Sequence, residues 1–246
     1  MTGRLDGKTA LVTGGGSGFG AGIARRFAGE GARLLVVDIN ADAAAAVAAE
    51  IGAASCCADV ADAASVAAMA AAAKEHLGAL DILVNNAGVT HQSGPLEDVD
   101  EESFDRVMAV NNKAVFLAAR AFVPAMKAAG KGCILNIAST AGVSPRPNLS
   151  WYNASKGWMI TATRAMAAGS SYAQIPLDPT AFWVSDHHAP RCMAACAGAN
   201  TTDACLALWP CCEMSTGGAC ALRPLASQPL AALDSCEPGA YSATPL

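Results

Sequence analysis

Residues 8–38 read KTALVTGGGSGFGAGIARRFAGEGARLLVVD. Lys8–Thr13 is an aliphatic and β-branched run, the composition of a buried strand. It passes directly into GGGSGFG and then into GIARRFAGEG, an amphipathic helical pattern. Strand, glycine-rich turn, helix is the order that places backbone N–H groups at a helix N-terminus, where a pyrophosphate can sit. Side chains at Gly14, Gly18 or Gly20 would obstruct that approach or the packing of helix on strand. A glycine-rich turn alone also fits a tight connection that holds nothing. Arg33–Asp38 weakens that alternative, because it reads as a second buried strand ending in an acid eighteen residues after Gly20. A carboxylate there can accept hydrogen bonds from the hydroxyls of an adenosine ribose and would repel a 2′-phosphate, which favours NAD over NADP.

The alternation continues. Ala41–Ile51 and Asp62–Leu77 are alanine-rich helical runs. Between them ASCCADV, residues 54–60, is a strand candidate that delivers Asp59 and Val60 at its end. Cys56 and Cys57 have no metal-ligand spacing around them and read as small apolar filler. A fourth strand, Asp81–Val84, runs into NNAG, Asn85–Gly88. Asparagines there can satisfy backbone groups of neighbouring strands, and Ala87 and Gly88 are small enough to let a flat ring approach. His91, in the polar loop that follows, is expected to face solvent. Glu101–Gly130 carries one long helical period, with Asn111 and Asn112 placed in its middle against propensity. Such placement implies a buried hydrogen bond or a local distortion, and Pro124 implies a kink or an exposed side. Cys133–Ile137 is the fifth strand. This pattern specifies an α/β fold, a Rossmann-like doubly wound parallel sheet with helices on both faces. Ligands of such sheets bind at the carboxyl ends of the strands, and Gly14–Gly20, Asp38, Asp59, Asn85–Gly88 and Ser139 all fall there.

The fifth strand leads into Asn136–Lys156, NIASTAGVSPRPNLSWYNASK. Tyr152 and Lys156 are four residues apart, so on a helix they share one face. A phenol with an ordinary pKa of ~10 is a poor acid or base at neutral pH, and a neighbouring ammonium favours its ionised form. The tyrosine could then exchange a proton with an alcohol or ketone oxygen. Tyrosine and lysine at this spacing also arise by chance on amphipathic helices, so the pair gains meaning only from the rest of the chain.

Taken in order, these residues resemble the short-chain dehydrogenase/reductase family, in its branch of about 250 residues. The resemblance is carried by TGGGSGFG, Asp38, Asp59-Val60, NNAG, Asn111 in VNN, Ser139 in NIAS and YNASK, and it covers Leu5 to about Ala168. It implies an NAD-dependent oxidoreductase acting on an alcohol or ketone, with a 3-oxoacyl, sugar or cyclic alcohol as substrate. It further implies Tyr152 as general acid/base and Lys156 as the residue that tunes it and holds the nicotinamide ribose. Ser139 would hydrogen-bond the substrate oxygen, and Asn111 would hold a water linking Lys156 to solvent. Cofactor contacts are implied at Gly14, Ser17, Gly18, Phe19, Gly20, Asp38, Ile39, Asp59, Val60, Asn86, Ala87, Gly88, Tyr152 and Lys156. Pro145, Pro147 and Trp151 would line the near wall of the substrate pocket. The family also implies a homo-oligomer.

Composition bounds the partners. A net charge of −5 with no basic stripe argues against nucleic acid. No apolar run is long enough for a membrane span, and no signal-peptide core precedes the first strand, so a cytoplasmic protein is the expectation.

After Ala168 the pattern changes. The last 78 residues hold 8 charged residues, 8 of the 12 prolines and 7 of the 10 cysteines, and no strand–helix alternation can be read from them. The chain is therefore expected to divide into an NAD-binding and catalytic part, residues 1–168, and an atypical segment, residues 169–246. The family's sixth strand, roughly thirty residues after its tyrosine, is not apparent. Out-of-frame translation of the segment, a metal-binding tail using His187, His188, Cys192 and Cys196, and a disulfide-stapled tail are the three readings. The zinc reading lacks paired C-x-x-C spacing, and a cytosolic compartment disfavours disulfides. An active oxidoreductase and a catalytically impaired remnant that keeps only its nucleotide-binding half both remain open at this level.

Overall fold

The computed structural model describes residues 3–168 and 182–185, all within one compact unit that spans residues 1–189. Strands β1 (Thr9–Thr13), β2 (Arg33–Asp38), β3 (Ala54–Cys57), β4 (Ile82–Asn85), β5 (Cys133–Ser139) and β6 (Phe182–Ser185) form one sheet in the order β3-β2-β1-β4-β5-β6. Every pairing is parallel. This is the doubly wound order, and the strand sequence reverses direction between β1 and β4, which opens a crevice at their carboxyl ends.

Both faces are covered, so β1 buries all its residues and its neighbours β2 and β4 bury most of theirs. In β1, Leu11 packs into one apolar cluster with Leu35, Met69, Leu83, Phe122 and Met126. Its neighbours Ala10 and Val12 pack into the other with Ala24, Val36, Val47 and Val84. The strand period of two thus serves two cores at once, which is why these strands read as continuous apolar runs.

The covering helices are α1 (Gly18–Gly29), α2 (Ala41–Ile51), α3 (Ala63–Leu77), α4 (Glu101–Met108), α5 (Ala114–Ala129) and α6 (Ser150–Ala168). Asn40, Asp62 and Asp100 cap α2, α3 and α4 by accepting from the backbone N–H groups of Ala43, Ser65 and Ser103. These side chains satisfy donors that a helix start leaves unpaired.

Several sequence expectations change. The single helix over 101–130 is interrupted: a π-helical turn, Ala109–Lys113, separates α4 from α5, and Asn111 and Asn112 lie inside it, both buried. Pro124 lies on the exposed side of α5, one of the two placements expected of it. A sixth strand exists at Phe182–Ser185, thirty residues after Tyr152, where none was read; it extends the sheet beside β5. Cys56 does pack against the core, but Cys57, one residue on and therefore on the other side of the strand, is exposed. His91 is buried, at 5% exposure. The four candidate metal ligands lie outside the described residues. Among the described residues no cluster could hold a metal ion, and no helix is long and apolar enough to cross a membrane.

Leu83 sits in a central strand at 0% exposure with side chains packed on every side. Leu83→Ala should cost about 3 kcal/mol through lost burial and an unfilled cavity. Thermal denaturation should then show a Tm lower by roughly 6–12 °C.

Candidate active site

The glycine turn is shaped by contacts that leave no room for side chains. Gly14 has φ 62°, and a Cβ there would stand 2.9 Å from Ala87 Cα. A Cβ on Gly20 would stand 2.0 Å from the Gly14 carbonyl oxygen. Asn86 closes the turn from the neighbouring strand, donating from Nδ2 to Thr13 O at 2.8 Å and to Gly14 O at 3.1 Å. Thr13 Oγ1 in return accepts from the backbone N–H groups of Asn86 and Ala87. Alone among the four helices α1–α4, α1 has no side-chain cap: Ser17 makes no such bond. Its first donors are left to a ligand, and the dipole there favours an anion.

Asp38 stands at the end of β2. Its Oδ2 accepts from Gly16 N at 2.9 Å and its Oδ1 from Asn40 N at 3.0 Å. Each oxygen keeps a lone pair, enough for a pair of ribose hydroxyls. Phe19 and Ile39 are 60% and 69% exposed, apolar surface of the kind a bound nucleotide covers. Asp59 is exposed and turns its Oδ1 to Ala61 N at 2.9 Å, while Val60 lines a small cavity with Thr13, Asn85 and Ala87. A glycine cradle, an uncapped helix start and a strand-end acid together fit a dinucleotide.

The catalytic candidates converge from β5, α6 and the π-helical turn. Ser139, the last residue of β5, is buried and its Oγ accepts from Ala141 N at 3.1 Å. Tyr152 and Lys156 lie one turn apart on α6, with Lys156 Nζ 6.0 Å from the Tyr152 ring centre. Lys156 is only 4% exposed and Nζ donates to the Ile137 carbonyl at 2.9 Å. Burial lowers its pKa from 10.5 to about 8. A Cβ on Gly88 would lie 3.3 Å from both Lys156 Nζ and Asn111 Oδ1, so the glycine of NNAG is what lets these two groups approach.

Asn111 is wholly buried and its amide is heavily used. Oδ1 accepts from Val89 N, and Nδ2 donates to Val89 O and to Ser155 Oγ, each at 2.9 Å. Both amide protons are committed, so a water could meet this side chain only at the second lone pair of Oδ1. Trp151, read as pocket wall, is tied down: its ring meets Phe104 edge-on at 5.4 Å and its Nε1 donates to Leu96 O at 3.4 Å. Pro145 and Pro147 are exposed. Sequence reasoning missed Thr13, which the strand-end position alone does not mark, and Ser155, whose only signal is its place within YNASK.

The sequence model of the short chain dehydrogenase family matches residues 8–177, which carries the resemblance past residue 168. The chain belongs to the short chain dehydrogenase family. It is 45% identical over 169 residues to the 4-formylbenzenesulfonate dehydrogenase of Comamonas testosteroni, covering 67% of each protein. It is 41% identical over 189 residues to the NAD(+) 2-dehydro-3-deoxy-L-rhamnonate dehydrogenase of Sphingomonas sp. (strain SKA58), covering 74% of this chain and 75% of the relative. The fold is similar to that of a 3-ketoacyl-(acyl-carrier-protein) reductase from Brucella melitensis complexed with NADH, with TM-score 0.68 and 46% identity over 70% of this chain and 74% of the other. This short chain dehydrogenase is an NAD(H)-dependent oxidoreductase that moves a hydride between nicotinamide and an alcohol or ketone.

The buried Lys156 has a stability consequence. Between its native pKa of about 8 and the ordinary 10.5 the unfolded chain binds one more proton than the native state, so its contribution to stability rises with pH across that window. Below it the native state carries a buried charge at full cost, on the order of 3 kcal/mol. Lys156→Met should therefore raise Tm by several degrees near neutral pH while removing turnover. The gain should shrink when the two proteins are melted at about pH 9.5.

Proposed function

We propose that Tyr152 is the general acid/base of this dehydrogenase, with Ser139, Lys156 and Asn111 in supporting roles. The single observation that carries the reading is the placement of Lys156: an ammonium 4% exposed, at the carboxyl end of β5, under the tyrosine one helical turn away. Nicotinamide, when bound, supplies or accepts the hydride. In the reducing direction negative charge grows on the carbonyl oxygen. Ser139 Oγ donates a hydrogen bond to that oxygen and the Tyr152 phenol transfers a proton to it. In the oxidising direction Tyr152 takes the alcohol proton. The Lys156 ammonium stabilises negative charge on the phenol oxygen and would hold the nicotinamide ribose when the cofactor is bound. The remaining lone pair of Asn111 Oδ1 suits a water that returns protons from solvent to Lys156.

On the cofactor side, Gly14, Ser17, Gly18, Phe19 and Gly20 take the pyrophosphate and cover its flank. Asp38 and Ile39 hold the adenosine ribose, Asp59 and Val60 the adenine, and Asn86, Ala87 and Gly88 the far ribose. Residues 1–168 are the NAD-binding and catalytic part, to which residues 182–185 add the outermost strand. The substrate is an alcohol or ketone, on a 3-oxoacyl, sugar or cyclic framework, entering beside Gly142–Trp151. Two relatives are named for an aromatic aldehyde sulfonate and a sugar acid, which supports a small polar carbonyl compound.

Phe116 on α5 and Trp158 on α6 are exposed, and a second copy of the chain would cover such surface, in keeping with a homo-oligomer. Cys56 and Cys57 are thiols, as suits a cytoplasmic protein.

NADH oxidation with a panel of ketones tests the assignment. Tyr152→Phe should lose at least about a thousandfold in kcat, the acid/base contribution, while NADH fluorescence titration shows an unchanged Kd. Full activity of the phenylalanine variant would remove Tyr152 from the mechanism. Asp38→Ala should weaken NADH binding by about tenfold and narrow the preference over NADPH, since the carboxylate both binds the ribose and repels the 2′-phosphate. An unaltered NADH/NADPH ratio of kcat/KM would rule that role out.

A further inference from the structure

Ser155 stands between Tyr152 and Lys156 in sequence and is completely buried, yet no role follows for it from the chemistry above. Its surroundings are unusual. Its carbonyl accepts from Asn112 Nδ2 at 2.9 Å. Its Oγ accepts from Asn111 Nδ2 at 2.9 Å and donates to the Tyr152 carbonyl at 2.8 Å. Two consecutive asparagines therefore grip two atoms of one residue.

In a regular α-helix consecutive side chains diverge by about 100°, so adjacent residues do not normally converge on one target. The π-helical turn Ala109–Lys113 changes the angular spacing at this point, and both asparagines face inward. Such turns are rare and recur at functional sites. The grip also leaves a polar atom without a partner: Asn112 Oδ1 is buried and unpaired. An apolar pair of the same size would join two helices without that penalty. What it would not do is connect them to the loop after β4. Asn111, while holding Ser155, also clamps Val89 through both its N–H and its carbonyl. Val89 follows Gly88, the residue whose missing side chain admits Lys156 Nζ. One chain of hydrogen bonds thus runs from Val89 through Asn111 and Ser155 Oγ to the main chain of Tyr152.

We propose that Ser155 is a positioning residue for the reaction: its hydroxyl and carbonyl dock α6 onto the π-helical turn, and that docking sets where Tyr152 and Lys156 stand relative to Gly88. The assignment rests on the proposed roles of Tyr152 and Lys156. Without Ser155 Oγ, Asn111 Nδ2 loses its acceptor and the first turns of α6 lose their tie to the β4 loop. The backbone of α6 continues to fold, but the phenol and ammonium sample orientations away from the substrate oxygen. The loss therefore falls on kcat, with little change in binding.

The test compares Ser155→Ala with the rescue variant Ser155→Thr, which keeps the hydroxyl. Turnover of the ketone that the parent enzyme reduces should fall at least tenfold in Ser155→Ala. KM and the NADH Kd should stay within threefold, and the rescue variant should recover half or more of kcat. Combining Ser155→Ala with Asn111→Ala should cost less than the product of the single effects, because both break one chain. A Ser155→Ala enzyme within twofold of the parent kcat, or one whose loss equals its loss of folded protein, overturns the proposal. Amide hydrogen exchange separates this from the site assignment itself, since it needs no turnover. Exchange in residues 88–91 and 150–156 should quicken at least tenfold in Ser155→Ala and return in the rescue variant. Unchanged exchange defeats the docking role even if the enzyme is active. Quickened exchange together with an active Tyr152→Phe variant upholds the docking and removes only the acid/base assignment.

Discussion

An ammonium held out of water at the carboxyl end of β5 is the constraint on which the rest of this molecule turns. A buried lysine is expensive unless its donors are satisfied, and the Ile137 carbonyl supplies one acceptor at 2.9 Å. The approach needs space on every side. Gly88 gives it on the β4 side, where any side chain would crowd Nζ. Gly142 gives it behind the helix, where a Cβ would stand 2.7 Å from the backbone of Lys156 and Gly157. Val115, Ala138, Met159 and Ile160 form the small apolar cluster that presses α6 onto the strand. Each of these features is costly or restrictive in itself, and together they hold one charge at the carboxyl end of β5. Burying that charge is a cost that the remaining core offsets.

The same economy of space governs the cofactor side. β1 and β4 are neighbours across the point where the sheet reverses, and the loops leaving them meet directly: Asn86 from one bonds the carbonyls of Thr13 and Gly14 in the other. A Cβ on Gly14 or Gly20 would strike this contact before it struck any ligand. The glycines therefore serve the protein's own packing. A turn that tight also aims the uncapped start of α1 into the crevice.

How much of this was legible depended on whether a residue's environment is set locally. β1, α1 and β2 could be read because burial on both faces writes itself as apolar runs, and the glycine turn between them has few other uses. Asp38, Ser139, Tyr152 and Lys156 could be placed because each follows a strand or shares a helical face. The π-helical turn could not be seen, since one extra residue in a thirty-residue helical pattern barely disturbs its period; only the two asparagines hinted at it. His91 looked solvent-exposed from its polar neighbours, yet its Nδ1 lies 2.7 Å from Gln92 O and its ring is buried by what packs over the loop, which no local pattern encodes. Phe182–Ser185 is too short for periodicity to distinguish from its surroundings, and only pairing with β5 makes it a strand.

A line of polar side chains explains how the helix that bears Tyr152 and Lys156 finds its depth. Asn85 and Asn136 face each other in the register of β4 and β5, and Asn85 Nδ2 donates to Asn136 Oδ1 at 2.8 Å. Asn136 Nδ2 donates in turn to Thr163 Oγ1 at 2.9 Å, and Thr163 Oγ1 to the Met159 carbonyl at 2.7 Å. Apolar residues would fill this layer at less cost, because every buried amide must be matched. A one-residue slip between β4 and β5 would put Asn136 on the wrong face, and a shift of α6 along its axis would part it from Thr163. Thr163 lies two helical turns beyond Lys156 and so faces the same way. Lys156 holds the carbonyl of Ile137 and Thr163 the side chain of Asn136, so α6 is pinned to two adjacent residues of one strand at two points along its length. With two interior points so fixed, the helix has one position along β5, and that position sets the depth of Tyr152 as well as of Lys156.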